Sequence, residues 1–193
     1  FYFTSKGGYF YSVAAPEKSG GDWLLDDGSL RAVALENGGD AAHPAMSTCT
    51  PVVYNGRAYI GVSGTGQFTP YSGHNITVID LTGWKIAYSV PTQGYPQTSG
   101  LLTTAYGAED GTVYVYFFDN YTPGKLRVLK DAPGQTRAEL TTEESYTVKG
   151  VTTTYTTPYV LFTPADAQAQ YAICSPITDS YGTLYFKNDS AHL

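Results

Sequence analysis

The residue types that usually carry chemistry are few in this 193-residue chain, and their spacing does not suit it. His43, His74 and His192 share no ligand-like interval, and neither Cys49 nor Cys174 sits in a Cys-x-x-Cys pair or beside a histidine, so no metal is assigned. The two cysteines read as separate small side chains, with one long-range disulfide as the alternative. Nucleophilic catalysis needs Ser or Cys served by His, and no Gly-x-Ser-x-Gly elbow occurs. Adjacent carboxylates stand at Asp26-Asp27, Glu109-Asp110 and Glu143-Glu144. A glycosidase needs its two carboxylates facing each other across a sugar, about 5–9.5 Å apart. Neighbours in a strand point to opposite faces and neighbours in turns point to water, so these pairs are expected to be solvated turn charge. Gly61-Val62-Ser63-Gly64-Thr65-Gly66 has the glycines of a phosphate loop without its lysine. Asp119-Asn120 and Asp179-Ser180 are oxygen-bearing turns that lack the alternating ligands of a calcium loop. No catalytic residue and no cofactor is assigned, and the expectation is a chain that is not an enzyme.

The balance of charge narrows the partners. Lys and Arg total 11 against 17 acidic residues, a net charge of −6, and the cations are scattered singly. A phosphate backbone or an anionic membrane surface needs clustered cations, so nucleic acid is not an expected partner. No apolar run approaches the ~20 residues of a membrane helix, and no membrane insertion is expected. Charged residues make up 15% of the chain, and its 18 Tyr, 25 Thr and 21 Gly take their place. Tyr and Thr suit pleated, half-buried surfaces and Gly supplies turns, which is an all-β composition. Few lysines among many tyrosines and threonines suit an extracellular surface. The chain opens on Phe1 in what reads as mid-strand, and a piece of something longer is expected.

A repeat organises these strands. Apolar-Tyr-apolar recurs at Phe1-Tyr2-Phe3, Ala58-Tyr59-Ile60, Val113-Tyr114-Val115 and Leu184-Tyr185-Phe186, with Tyr spacings of 57, 55 and 71. A hairpin partner precedes the later copies: Cys49-Thr50-Pro51-Val52, Ser99 to Tyr106, and Cys174-Ser175-Pro176-Ile177. Further strands are expected at 75–80 and 84–90, at 125–129 and within 137–142, and at 9–13 and 30–35, the last in preference to a short helix. Four antiparallel strands per unit of about 55 residues is the sequence form of a propeller blade, with a β-sandwich as the alternative. About three and a half units make one irregular, incomplete propeller-like domain over 1–193. Its open strand edges should be covered by the 143–170 segment, where Tyr146-Thr147-Val148 and Tyr159-Val160-Leu161-Phe162 are extra strands, or by a second copy.

Within this repeat, Val78-Ile79-Asp80-Leu81-Thr82-Gly83-Trp84-Lys85 resembles the Asp-x-x-Thr-Gly-Lys turn of quinoprotein-like β-propeller repeats of the pyrroloquinoline-quinone type. Cys174-Ser175-Pro176 through Asp189-Ser190 looks like the matching hairpin in propeller regions of secreted surface proteins of Gram-positive bacteria. The resemblance implies a propeller fold and an extracellular or cell-wall setting rather than an activity. The quinone enzymes carry adjacent paired cysteines, about eight blades and regularly placed tryptophans. This chain has neither the cysteine pair nor the eight blades, and Trp23 and Trp84 are not at equivalent positions.

In a four-stranded blade the loop after the second strand and the link to the next blade emerge at one end. Those segments bring Phe68, Tyr71, His74, Tyr95, Tyr121 and His43 together as the candidate binding surface. Aromatic side chains on such loops offer flat contacts to a protein or carbohydrate partner. The functional expectation is a non-catalytic extracellular scaffold or binding module. A quinone-dependent or glycoside-active domain is the alternative. Sequons at Asn75, Asn120 and Asn188 add glycosylation as an option in a eukaryotic setting.

Overall fold

The computed structural model describes residues 1–15, 26–66, 68–105, 107 and 110–190; Trp23, Tyr106, Glu109 and His192 lie outside them. The described residues are all-β, in four antiparallel sheets. The first holds β1 (Tyr2–Thr4), β2 (Tyr9–Ala14) and β3 (Asp26–Ala34), and the second β4 (Val52–Tyr54), β5 (Arg57–Val62), β6 (Asn75–Asp80) and β7 (Lys85–Pro91). The third holds β8 (Leu101–Thr103), β9 (Val113–Phe118), β10 (Leu126–Asp131), β11 (Thr141–Val148) and β12 (Val151–Phe162), and β13 (Ile177–Thr178) and β14 (Leu184–Tyr185) form the fourth. None is closed into a barrel among the described residues, and no helix there is long and apolar enough to cross a membrane.

Turn chemistry sets the hairpins. Asn55 and Gly56 have φ of 46° and 75°, the doubly positive geometry of a two-residue hairpin, which Asn-Gly adopts at little steric cost. That turn pairs Tyr54 with Arg57 and Val52 with Tyr59. A slip of one residue would turn Tyr59 to the opposite face. Residues 30–34 are strand, because Tyr11 pairs with Ala32 and Tyr9 with Ala34, and this pairing overrides the helical preference of Leu and Ala.

The pleat gives every repeat the same polarity. In β5, buried along its whole length, Ala58, Ile60 and Val62 pack with Phe10, Leu35 and Cys49 on the side of the first sheet. Tyr59 points the other way, into Val113, Val115 and Phe117 of the third. β9 repeats this: those three side chains look back, while Tyr116 and Phe118 look forward onto Leu184 and Phe186. The sheets therefore stack face to face in chain order, with the second and third covered on both sides. Strands buried on both faces need apolar runs or internally bonded polar groups: β5 is apolar from Ala58 to Val62, and in β6 the buried Thr77 hydroxyl donates to Asn75 Oδ1 at 2.7 Å. Cutting Phe117 (1% exposed) to Ala removes a centre of the larger cluster, a change that typically costs about 3–5 kcal/mol. Close approach also fixes Gly61, where a Cβ would lie 1.7 Å from the Pro96 carbonyl oxygen.

The third sheet departs from the expected meander. Of 137–142 only Thr141 and Thr142 are strand, and they begin β11. The place beside β10 is taken by β12, with Arg127 opposite Val160 and Val128 opposite Tyr159. The 143–170 segment thus covers the β10 edge. The register shifts between Leu126 and Arg127. The N-terminal part of β12 pairs with β11 instead, making a ribbon that also touches β7 of the second sheet.

Candidate functional site

The ribbon is two-sided. Opposed pairs Glu144–Tyr155 and Tyr146–Thr153 share one face, and Ser145–Thr154 and Thr147–Thr152 share the other. On the outer face the hydroxyls of Ser145 and Thr154 are 3.0 Å apart and those of Thr147 and Thr152 are 2.8 Å apart. The inner face meets Arg127 of β10.

Arg127 is fully buried among polar and charged partners. Its Nε donates to Asp119 Oδ2 at 2.6 Å, one terminal nitrogen donates to Thr157 Oγ1 at 2.8 Å, and the other stands 2.6 Å from Glu144 Oε2. Lys125 pairs with the second oxygen of Glu144. Burial alone would raise the Glu144 carboxyl, but the Arg127 charge and the Lys125 ammonium outweigh it and hold the group down at about 2. Asp119, wholly enclosed, goes the other way: burial pushes its carboxyl up despite Arg127. The expectation that Glu143-Glu144 is solvated turn charge is corrected here. Both residues are in β11, and alternation turns Glu144 inward while Glu143 stays exposed and accepts from Thr156 at 2.6 Å. A carboxylate already shared by two cations is poorly placed to abstract a proton.

Above this network lies a cluster of rings. Tyr71, in the β5–β6 loop with φ of 53°, stacks on Tyr155 at 4.1 Å between centroids and 5° between planes. Tyr146 tilts against it at 5.9 Å. Burial, then the Glu144 carboxylate, push the Tyr71 phenol well above its usual range, and a hydrogen bond to that carboxylate contributes. Phe68, 59% exposed, stands edge-on to Tyr171 at 6.1 Å. Tyr121 is half-buried, and its phenol is raised first by burial and then by Tyr146 and Tyr171 beside it. Segments far apart in sequence thus supply one group of rings.

Three of the six expected surface residues, Phe68, Tyr71 and Tyr121, come together there. His74 and Tyr95 do not: they are 1% and 2% exposed and stack on each other at 6.3 Å inside the fold. His74 Nδ1 accepts from the Gly64 N–H at 2.7 Å, which leaves the proton on Nε2, and burial lowers its pKa. Tyr95 Oη accepts from the Thr48 N–H at 2.6 Å. Both are loop anchors. His43 is exposed, bonded to Asp40 at 3.0 Å, and makes no ring contact among the described residues. Sequence reasoning missed Tyr146, Tyr155 and Tyr171. Alternation along 141–148 and 151–157 places the first two on one face of a ribbon, but nothing local says what that face meets.

Other sequence features prove to be internal structure. The amides of Gly64, Thr65 and Gly66 are spent on His74, Ser72 O and Ser72 Oγ, so the glycine-rich loop has none of them to offer a phosphate. Asn75 and Asn120 are buried, with their amide nitrogens donating to Glu36 O and Gln97 Oε1, so neither can accept a glycan in the folded chain. Both cysteines are free, and no group of three or more metal-ligating side chains occurs among the described residues. Asp179 holds its own turn through the N–H groups of Tyr181 and Thr183.

A second buried polar centre joins the second and third sheets. Asp131, 0% exposed, accepts from Arg57 Nε and a terminal nitrogen at 2.9 Å each, from Tyr59 Oη at 2.8 Å and from Tyr88 Oη at 2.6 Å. Beside Tyr88 lies an open cleft of about 660 Å³ between β7 and residues 136–141. Its charged walls are Arg137 and Glu139, and Glu139 is 3.6 Å from Lys130.

No protein-family model, curated protein or solved structure matches this chain.

Proposed function

We propose that this chain is a non-catalytic module of an extracellular or wall-associated protein, that its stacked sheets are blades of an irregular propeller of the quinoprotein-like kind, and that it binds a neutral glycan. The observation that carries the binding assignment is the stacking of Tyr71 on Tyr155 with the Tyr71 phenol tied to Glu144, itself fixed by Arg127 and Lys125. Rings held this way lose little further freedom on binding, which is how rigid aromatic contacts gain affinity. Phe68 and the partly exposed edges of Tyr121, Tyr146 and Tyr171 offer apolar faces to a sugar, and their phenols offer hydrogen bonds. The net charge of −6 disfavours polyanionic glycans, so the ligand is assigned as uncharged. The shared sheet polarity and the coverage of the second and third sheets on both faces support the propeller reading.

A glycan array run with the wild-type chain and with Phe68→Ala/Tyr121→Ala tests the assignment. Retention on neutral glycans that the double variant loses supports it. Silence on the array together with specific capture of a protein from the source's surroundings assigns the surface to a protein partner instead, and turnover on a small-molecule panel overturns the non-catalytic reading.

A further inference from the structure

Of the five asparagines in the chain, Asn37 and Asn55 are followed by glycine. In this pair the backbone can attack its own side chain, because no Cβ on the next residue keeps that residue's nitrogen away from the asparagine Cγ. The fold treats the two pairs oppositely. Asn37 is half-buried and its amide is occupied at both ends: Oδ1 accepts from the Gly39 N–H at 2.7 Å, and Nδ2 donates to Ser63 O at 3.1 Å and to His43 O at 3.4 Å. Asn55 is exposed at the tip of the β4–β5 hairpin, and its amide has no hydrogen-bond partner among the described residues. The Gly56 N–H has no backbone acceptor there either, while the Gly56 carbonyl accepts from the Leu81 N–H at 2.8 Å. β4 is three residues long and stands at the edge of its sheet, with Val53 and Tyr54 exposed, so this turn opens without unfolding the sheet.

We infer that Asn55 is a site of spontaneous backbone modification, and that its product loosens the joint between the second and third sheets. The Gly56 nitrogen gives its proton to water and bonds to Asn55 Cγ. The Cγ–Nδ2 bond breaks, the nitrogen takes up a proton and leaves as ammonia, and a cyclic imide remains. Water then opens the ring. Addition at Cγ gives aspartate in a normal backbone, and addition at the main-chain carbonyl of residue 55 gives isoaspartate, in which the chain runs through Cβ and Cγ and is one carbon longer. Nothing is oxidised or reduced: an amide and water become a carboxylate and ammonia. The consequence lies in what the hairpin holds. A two-residue loop sets the register of its strands through its own backbone geometry, and an added carbon between Tyr54 and Arg57 no longer closes that pair. Arg57 is the residue that donates twice to Asp131 at 2.9 Å and once to Gln135 O at 2.8 Å. Asn55 Nδ2 also lies 2.8 Å from where a Cβ on Gly111 would stand, so the new carboxylate is set against the turn that carries Asp110. The inference is independent of what the ring cluster binds.

Timed incubation of the purified chain in mildly alkaline buffer tests it, read by peptide mapping with a fragmentation method that separates aspartate from isoaspartate. Conversion at Asn37 must first break the bonds to its amide, so Asn55 should convert at least about tenfold faster than Asn37 in the folded chain. In urea the two should convert at similar rates, since only the fold distinguishes them. The isoaspartate fraction, isolated by chromatography, should unfold at lower urea than Asn55→Asp, which carries the charge on a normal backbone. Asn55→Gly should keep its midpoint through the same incubation. An Asn55 that keeps its amide, or converts no faster than Asn37 in the folded chain, overturns the inference. So does an isoaspartate fraction that unfolds together with Asn55→Asp, and so does an Asn55→Gly chain whose midpoint falls in step with the wild type.

Discussion

β10 carries two buried charges at its two ends, and they are handled differently. At Asp131 the charge is met entirely by rigid neighbours: a two-pronged Arg57 and two tyrosine hydroxyls, all from the adjacent sheet. At Arg127 the partners are Asp119 and Lys125's companion Glu144, and Glu144 arrives on a ribbon whose outer face is open to water. Asp119 Oδ1 is left without a hydrogen-bond partner among the described residues. The first centre locks one sheet to the next. The second ties the β11–β12 ribbon to the body at the face that carries Tyr146 and Tyr155. A satisfied network serves stability, and one closed by a surface ribbon sets the shape of a surface.

The largest effect should come from breaking the first centre. Asp131→Ala strands the Arg57 charge and two phenols in a buried interface, and removing one partner of a buried pair costs roughly 3–5 kcal/mol. Urea unfolding should show a loss in that range, enough to unfold much of a marginally stable domain. An unchanged midpoint would mean that the two sheets do not depend on this contact.

Acid should act on the second centre. The folded Glu144 carboxyl is depressed to about 2 from an ordinary 4.5, so its contribution is complete above about pH 5 and is lost as pH falls toward 2. The shift corresponds to a contribution on the order of 3 kcal/mol. Asp119, whose carboxyl is raised by burial, acts in the opposite sense, so the informative comparison is wild type against Glu144→Gln. The variant should be less stable at pH 7 and the gap should narrow through pH 5 to 3. Parallel pH profiles would show that Glu144 is not paired as described.

A smaller effect should follow at Asn55. With φ of 46°, Asn55→Gly should be nearly neutral, whereas Asn55→Val should cost about 1–2 kcal/mol by forcing a β-branched residue into the left-handed region. Thermal melts of the two variants check this, and equal melting temperatures would contradict the turn assignment.

What the sequence made legible was local. The Asn55-Gly56 hairpin, the strands at 75–80 and 84–90 and the recurrent tyrosine all follow from turn chemistry and a period of two. The partner of β10 was not legible, because Val160 lies 33 residues beyond Arg127 and pairs by tertiary fit, while 137–142 satisfies only the spacing of the repeat. The candidate surface was half legible for the same reason. Loop position singled out Phe68, Tyr71 and Tyr121. It also singled out Tyr95, whose neighbour Pro96 presses on Gly61 and draws the segment inward, and His74, which ends its loop against β6. Of the rings that complete the cluster, Tyr146 and Tyr155 came from a ribbon whose inward face is defined by a salt bridge to a different hairpin, and Tyr171 from the segment that follows it.

The central claim is that the Arg127–Glu144 network holds the stacked tyrosines as a binding surface. Its most direct test is the affinity, for the best neutral glycan on the array, of wild type, Tyr71→Ala and Glu144→Gln, each first shown to be folded. Loss of at least about tenfold for Tyr71→Ala, with a smaller loss for Glu144→Gln expressed as faster dissociation, is the predicted result. Unchanged affinity in both folded variants would contradict it.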